Sequence, residues 1–81
     1  YQIKGGEGMT IHEVEAIYSI AENMTEAISI SSYDNHQREA LQQVKEVSKL
    51  LGVPYEKGQG NKYEWYTVSK DYFQVTYFFE D

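Results

Sequence analysis

Cysteine is absent from this chain of 81 residues, and Pro54 is its one proline. Without cysteine there is no disulfide framework and no thiolate metal site, which places the chain among intracellular-type domains. Basic charge is scarce: 7 Lys and Arg stand against 13 Asp and Glu, a formal net charge of −6. That balance repels phosphate backbones and anionic lipid headgroups. Long apolar runs are missing too. The uncharged stretch 27–33 is broken by serines, so it neither crosses a bilayer nor serves as a secretory signal core. The expectation is a cytoplasmic protein with no membrane partner. A chain of this size buries only about 60–65 % of the surface that its unfolded form exposes, so its single core needs tight packing or a partner.

What is present begins with glycine. Residues 1–8 contain three glycines and end directly before Met9. Lys4-Gly5-Gly6-Glu7-Gly8-Met9 back-translates to a purine-rich AAAGGAGG-like run ahead of ATG, the pattern of a bacterial ribosome-binding site. Residues 1–8 are therefore set apart as a translated leader, an expression remnant or, through Tyr1-Gln2-Ile3-Lys4, a short edge strand. Residues 9–81 then form a single α+β domain, and the source suggested is a bacterium or phage.

From Met9 onward the pattern sharpens. Thr10 followed by Glu13 makes a capping box, with Met9 and Val14 placed as a hydrophobic staple. Apolar residues recur at Ile11, Val14, Ile17, Tyr18, Ala21, Met24 and Ile28, which predicts a helix over residues 10–28. Its other side carries Glu15, Glu22 and Glu26 as an acidic stripe, the pattern that any solvated helix face also shows. Residues 29–35 read as a connection, and Asp34 is placed to cap a second helix with Gln37 at its third position. Ala40, Leu41, Val44, Val47, Leu50 and Leu51 continue at helical spacing until Leu51-Gly52-Val53-Pro54. There a left-handed glycine, an apolar residue and a proline stop the helix. Two such helices across a short loop are expected to pack antiparallel.

Residues 55–62 hold Gly58 and Gly60 and read as a mobile loop. Beyond Pro54 the composition changes. Of eight tyrosines, three phenylalanines and one tryptophan, nine fall after that proline. Residues 62–69 and 72–79 read as a hairpin turning at Lys70-Asp71, or through a four-residue turn with the same register. One side then presents Val68 against Phe73, Tyr66 against Val75 and Glu64 against Tyr77, and is the better core face. The other mixes Thr67, Gln74 and Thr76 with Tyr63, Trp65 and Phe78. If helices roof only one side, those three rings are left on open surface, the mark of an interaction site. The competing account has the sheet curling, or the 55–61 loop folding over, so that the rings complete a small core. A three-residue turn would move the patch to Tyr66, Val75 and Tyr77.

Sites for chemistry are not legible. Gly5-Gly6-Glu7-Gly8 lacks the Gly-Lys-Ser/Thr continuation of a phosphate loop and places a carboxylate where phosphate would sit. His12 and His36 have no second histidine at the spacing of a metal helix. No serine lies in a Gly-x-Ser-x-Gly elbow, and without a cleft the many carboxylates have no acid–base assignment. The expectations are no catalytic residue, no metal, no cofactor and no small-molecule substrate. The fold expected is α+β in the order (β)ααββ, with two helices, a C-terminal hairpin and an optional N-terminal edge strand. The function expected is a small acidic regulatory, inhibitor-like protein. It would bind another protein, or a second copy of itself, through Tyr63, Trp65, Phe78 and Tyr72, with Glu15, Glu22 and Glu26 for steering. The alternative is a winged-helix-like nucleic-acid-binding module. It is disfavoured because neither the second helix nor the hairpin is a basic footprint.

Overall fold

A computed structural model describes residues 2–4, 10–23, 27–33 and 36–80, and these described residues form seven elements. They are β1 (Gln2–Lys4), α1 (Ile11–Ala21), β2 (Ile28–Tyr33), α2 (Gln37–Leu51), β3 (Glu56–Gln59), β4 (Glu64–Lys70) and β5 (Phe73–Phe79). The class is α+β. The five strands form one sheet in the order β1-β2-β5-β4-β3. β1, β2 and β5 run parallel, whereas β5, β4 and β3 are antiparallel. Parallel neighbours need a long crossover between them, and α1 supplies the one from β1 to β2.

The first helix starts as the sequence indicates, with the Glu13 amide donating to the Thr10 hydroxyl at 3.3 Å. It ends at Ala21 rather than continuing to Ile28. Ile28 instead opens β2, in the segment expected to be a connection. The alternation Ile28-Ser29-Ile30-Ser31-Ser32 places two isoleucines and Ser32 on the buried face and serines on the other. That pattern suits a strand with one face open. Met9, Met24 and Asp34 lie outside the described residues. The helix cap expected at Asp34 is replaced by His36, which makes no side-chain capping bond, so Gln37 is the first helical residue. Because β2 separates the helices, the tight helical hairpin expected does not form. α1 and α2 instead touch each other on one face of the sheet.

The end of α2 follows its sequence closely. Gly52 adopts φ 72° and ψ 26°, and its amide donates to the Ser48 carbonyl at 2.9 Å. Val53 folds back against the core. The segment expected to be a mobile loop holds β3, paired antiparallel to β4 from Glu56↔Thr67 to Gln59↔Glu64. The hairpin turns one residue later than expected, which moves every cross-strand partner by two. Lys70 pairs with Phe73 around Asp71-Tyr72, with Asp71 at φ 53°, a left-handed conformation that aspartate tolerates better than most side chains. Val68 therefore faces Val75 and Tyr66 faces Tyr77. A slip of two residues preserves the pleat, so every side chain stays on its expected face.

The core lies between the two helices and one face of the sheet. Val14, Ala40, Val44, Val47 and Leu51 descend onto Ile28, Ile30, Tyr66, Val68, Phe73, Val75, Tyr77 and Phe79, all buried. Tyr18 of α1 packs on Phe73 with ring centroids 5.1 Å apart, and Tyr66 stacks on Phe79 at 5.2 Å. The Gln37 amide donates to the Tyr66 hydroxyl at 2.9 Å, tying the start of α2 to β4. No helix among the described residues is long and apolar enough to cross a membrane.

Candidate functional site

Both helices pack on one face of the sheet, so the opposite face has no layer of its own among the described residues. Strand register arranges that face in rows. The first runs Ser29, Gln74, Ser69; the second Ser31, Thr76, Thr67, Glu56; the third Tyr33, Phe78, Trp65, Gly58. The middle row is knit by hydroxyls, with Thr67 and Thr76 oxygens 3.0 Å apart. The Gln74 amide donates to Thr67 at 3.2 Å. The third row is aromatic.

Phe78 sits at the centre of that aromatic row. Tyr33 stacks on it at 5.0 Å, with the two rings 14° from parallel, and Trp65 leans on it at 5.9 Å. Tyr63, just before β4, meets both Tyr33 and Phe78 edge-on at 6.5 Å. Such offset and edge contacts are favourable beyond the area they bury. Tyr33 and Tyr63 remain 39% and 41% exposed, while Trp65 and Phe78 are half-buried. The rings therefore support one another without being sealed. Tyr63 donates its phenolic proton to the Glu80 carboxylate. That negative charge, followed by the hydrogen bond itself, partial burial and the nearby Tyr33, raises its pKa above the ordinary tyrosine value.

Three of the four aromatic residues singled out in the sequence thus meet on the open face. Tyr72 does not join them. It is 73% exposed in the β4–β5 turn, at the far end of the strands, on the rim of a shallow depression of about 460 Å³ shared with Tyr18, Glu22 and Lys70. Glu15 and Glu22 are exposed on the helix layer, on the side of the molecule away from the open sheet face, and Glu26 lies outside the described residues. The acidic stripe and the aromatic row accordingly do not form one surface.

Two members of the cluster are not apparent in the sequence. Tyr33 is hidden because its strand reads as a loop, although its period-two alternation with Ser29 and Ser31 is present. Gly58 reads as an ordinary loop glycine. It lies across from Trp65, where a β-carbon would stand 2.1 Å from the indole nitrogen. Only a bare backbone lets the indole cover this edge strand, an arrangement that shields a weak glycine position. His12 and His36 are exposed, and no group of three His, Cys, Asp or Glu among the described residues is placed to hold a metal ion. Lys57 and Lys70 both turn to the helix side, over the rings of Tyr66 and Tyr18. Compared with protein-family models, curated proteins and solved structures, the chain matches none.

Proposed function

We propose that this chain is a small protein-binding module, regulatory or inhibitor-like in character, that engages its partner through the open face of the sheet. The observation that carries the reading is the aromatic row Tyr33-Phe78-Trp65, edged by Tyr63, left uncovered on a face whose other positions on the three central strands are serine, threonine and glutamine. Tyrosine, tryptophan and phenylalanine anchors flanked by hydroxyl and amide groups are the composition of a protein interface, with charge kept to its rim. A bacterial or phage-infected cytoplasm is the setting proposed, in keeping with the absence of cysteine.

Aromatic sheet platforms also stack nucleic-acid bases, but such platforms track the backbone with positive charge. Among the described residues, the register of this face sets Lys4 on one edge strand and Glu56 on the other, with the Glu80 carboxylate beyond β5, so no track of positive charge runs along it, which weighs against that alternative. The test is a pull-down from bacterial lysate comparing the native chain with Trp65→Ala, Phe78→Ala and the milder Tyr63→Ser, each checked by circular dichroism. Loss of a captured protein from the folded variants supports the reading; equal recovery from all of them overturns it. A gel shift that forms at low salt and weakens steeply on salt addition would favour nucleic acid instead.

A further inference from the structure

We propose that in the free protein the open sheet face is covered by the same face of a second copy, giving a twofold, sheet-to-sheet dimer centred near Thr76. The inference rests on the reading of this face as a protein interface and names its occupant.

Charge comes first. Each copy carries a formal −6, so two copies repel unless they meet where charge is least. The helix layer is excluded by this criterion on the α1 side, where Glu13, Glu15 and Glu22 are exposed and no Lys or Arg lies within the helix. Inside the open face, Ser29, Ser31, Thr67, Ser69, Gln74 and Thr76 are uncharged. Glu56 sits on the edge strand and Glu80 beyond the end of β5. Charge is confined to the edge strands, with Glu56 on β3 and Lys4 paired to Ser31 on β1, so the centre of the face offers a basic partner no carboxylate. A neutral copy of the same surface meets no such mismatch, and its hydroxyls and amides both donate and accept.

Size is the second argument. Four inter-strand gaps of about 4.8 Å and strands of up to seven residues at about 3.3 Å each give a platform of roughly 20 by 23 Å. Two such faces together contribute about 900 Å² in projection, which falls with weak, concentration-dependent interfaces rather than with standard-sized stable ones. An isologous contact uses one patch twice. The centre of this patch is well defined: β5 is the middle strand of five, and Thr76 belongs to the middle row of three. A twofold axis through that centre sets Thr76 against its own copy.

Sedimentation of the whole chain from about 10 μM to about 1 mM, the range of a micromolar-to-millimolar interface, tests this directly. The native protein is expected to shift with concentration from 9.4 kDa to twice that mass. Thr76→Lys should raise the dissociation constant at least tenfold with its circular dichroism unchanged. Gln74→Lys, at an exposed position on the same face, serves if Thr76→Lys does not fold. A native chain that stays at 9.4 kDa throughout, or a dimer indifferent to a folded lysine variant, overturns the proposal. Should the chain be monomeric while the Trp65→Ala variant still loses a captured partner, only the identity of the occupant fails. Equal capture by all variants removes the interface reading itself.

Discussion

Trp65 lies over the α-carbon of Gly58, its partner across the β3–β4 pair, so closely that a β-carbon added at Gly58 would fall 2.1 Å from the indole nitrogen and 2.2 Å from the adjoining ring carbon. The edge strand and the aromatic row are thus a single packed unit, and a change in one is felt in the other.

Gly58→Ala should therefore eject the indole. The expected cost is about 1–3 kcal/mol, as for other overpacked sites, together with a red shift of tryptophan emission as Trp65 moves into water. Since Trp65 is the single tryptophan, the fluorescence reports this site alone. Unchanged emission in a folded Gly58→Ala protein would contradict the packing described.

Ile30 tests the strand that the sequence conceals. It is fully buried at the centre of β2, between β1 and β5, so Ile30→Ala should cost about 2–5 kcal/mol in urea denaturation. In an exposed connection the same change would fall within about 0.5 kcal/mol.

The left-handed stop of α2 makes a sharper prediction. Gly52 has φ 72°, and a β-carbon added there would meet no atom within 4 Å, so Gly52→Ala encounters backbone strain and no clash. The expected loss is about 1–2 kcal/mol, read as a fall in Tm of roughly 4–8 °C per kcal/mol for a domain of this size. Gly52→Asn should lose less, because asparagine enters this region more readily.

Tyr63 supplies a pH dependence. Its pKa is raised chiefly by the charge of Glu80, so the folded state holds the phenolic proton more tightly than the unfolded chain does. Whatever stability this provides is complete below the ordinary tyrosine pKa and is lost as pH rises through the folded value. Glu80→Gln should lower the Tyr63 pKa in a tyrosinate absorbance titration, and added salt should narrow the difference between native and variant.

Much of this fold is legible in residue order, and the exceptions have physical causes. The α2 stop is legible because Gly52, Val53 and Pro54 each forbid or redirect the helix. The two faces of the β4–β5 hairpin are legible although the turn falls elsewhere, since parity survives a two-residue slip. β2 is not, because Ile17, Ala21, Met24 and Ile28 prolong helical spacing into a segment whose shorter alternation, Ile28 to Ile30 to Ser32, ends on serine. A serine on the buried side blurs the apolar signal that marks a core strand. β3 is concealed for another reason: an edge strand with Glu56, Lys57 and Gly58 has none of the branched or aromatic residues typical of strands. The aromatic site is legible in its three hairpin members and not in Tyr33, which reaches it from a distant part of the chain.

β5 is the last strand of the sheet to be synthesised, yet it occupies the middle position, with β2 on one flank and β4 on the other. Until Phe73–Phe79 has emerged, the pairs β1–β2 and β3–β4 have no strand to join them into one sheet. Completion of the fold is thereby held back to the final strand, and a chain arrested before it would expose both edges to whatever else can pair with them.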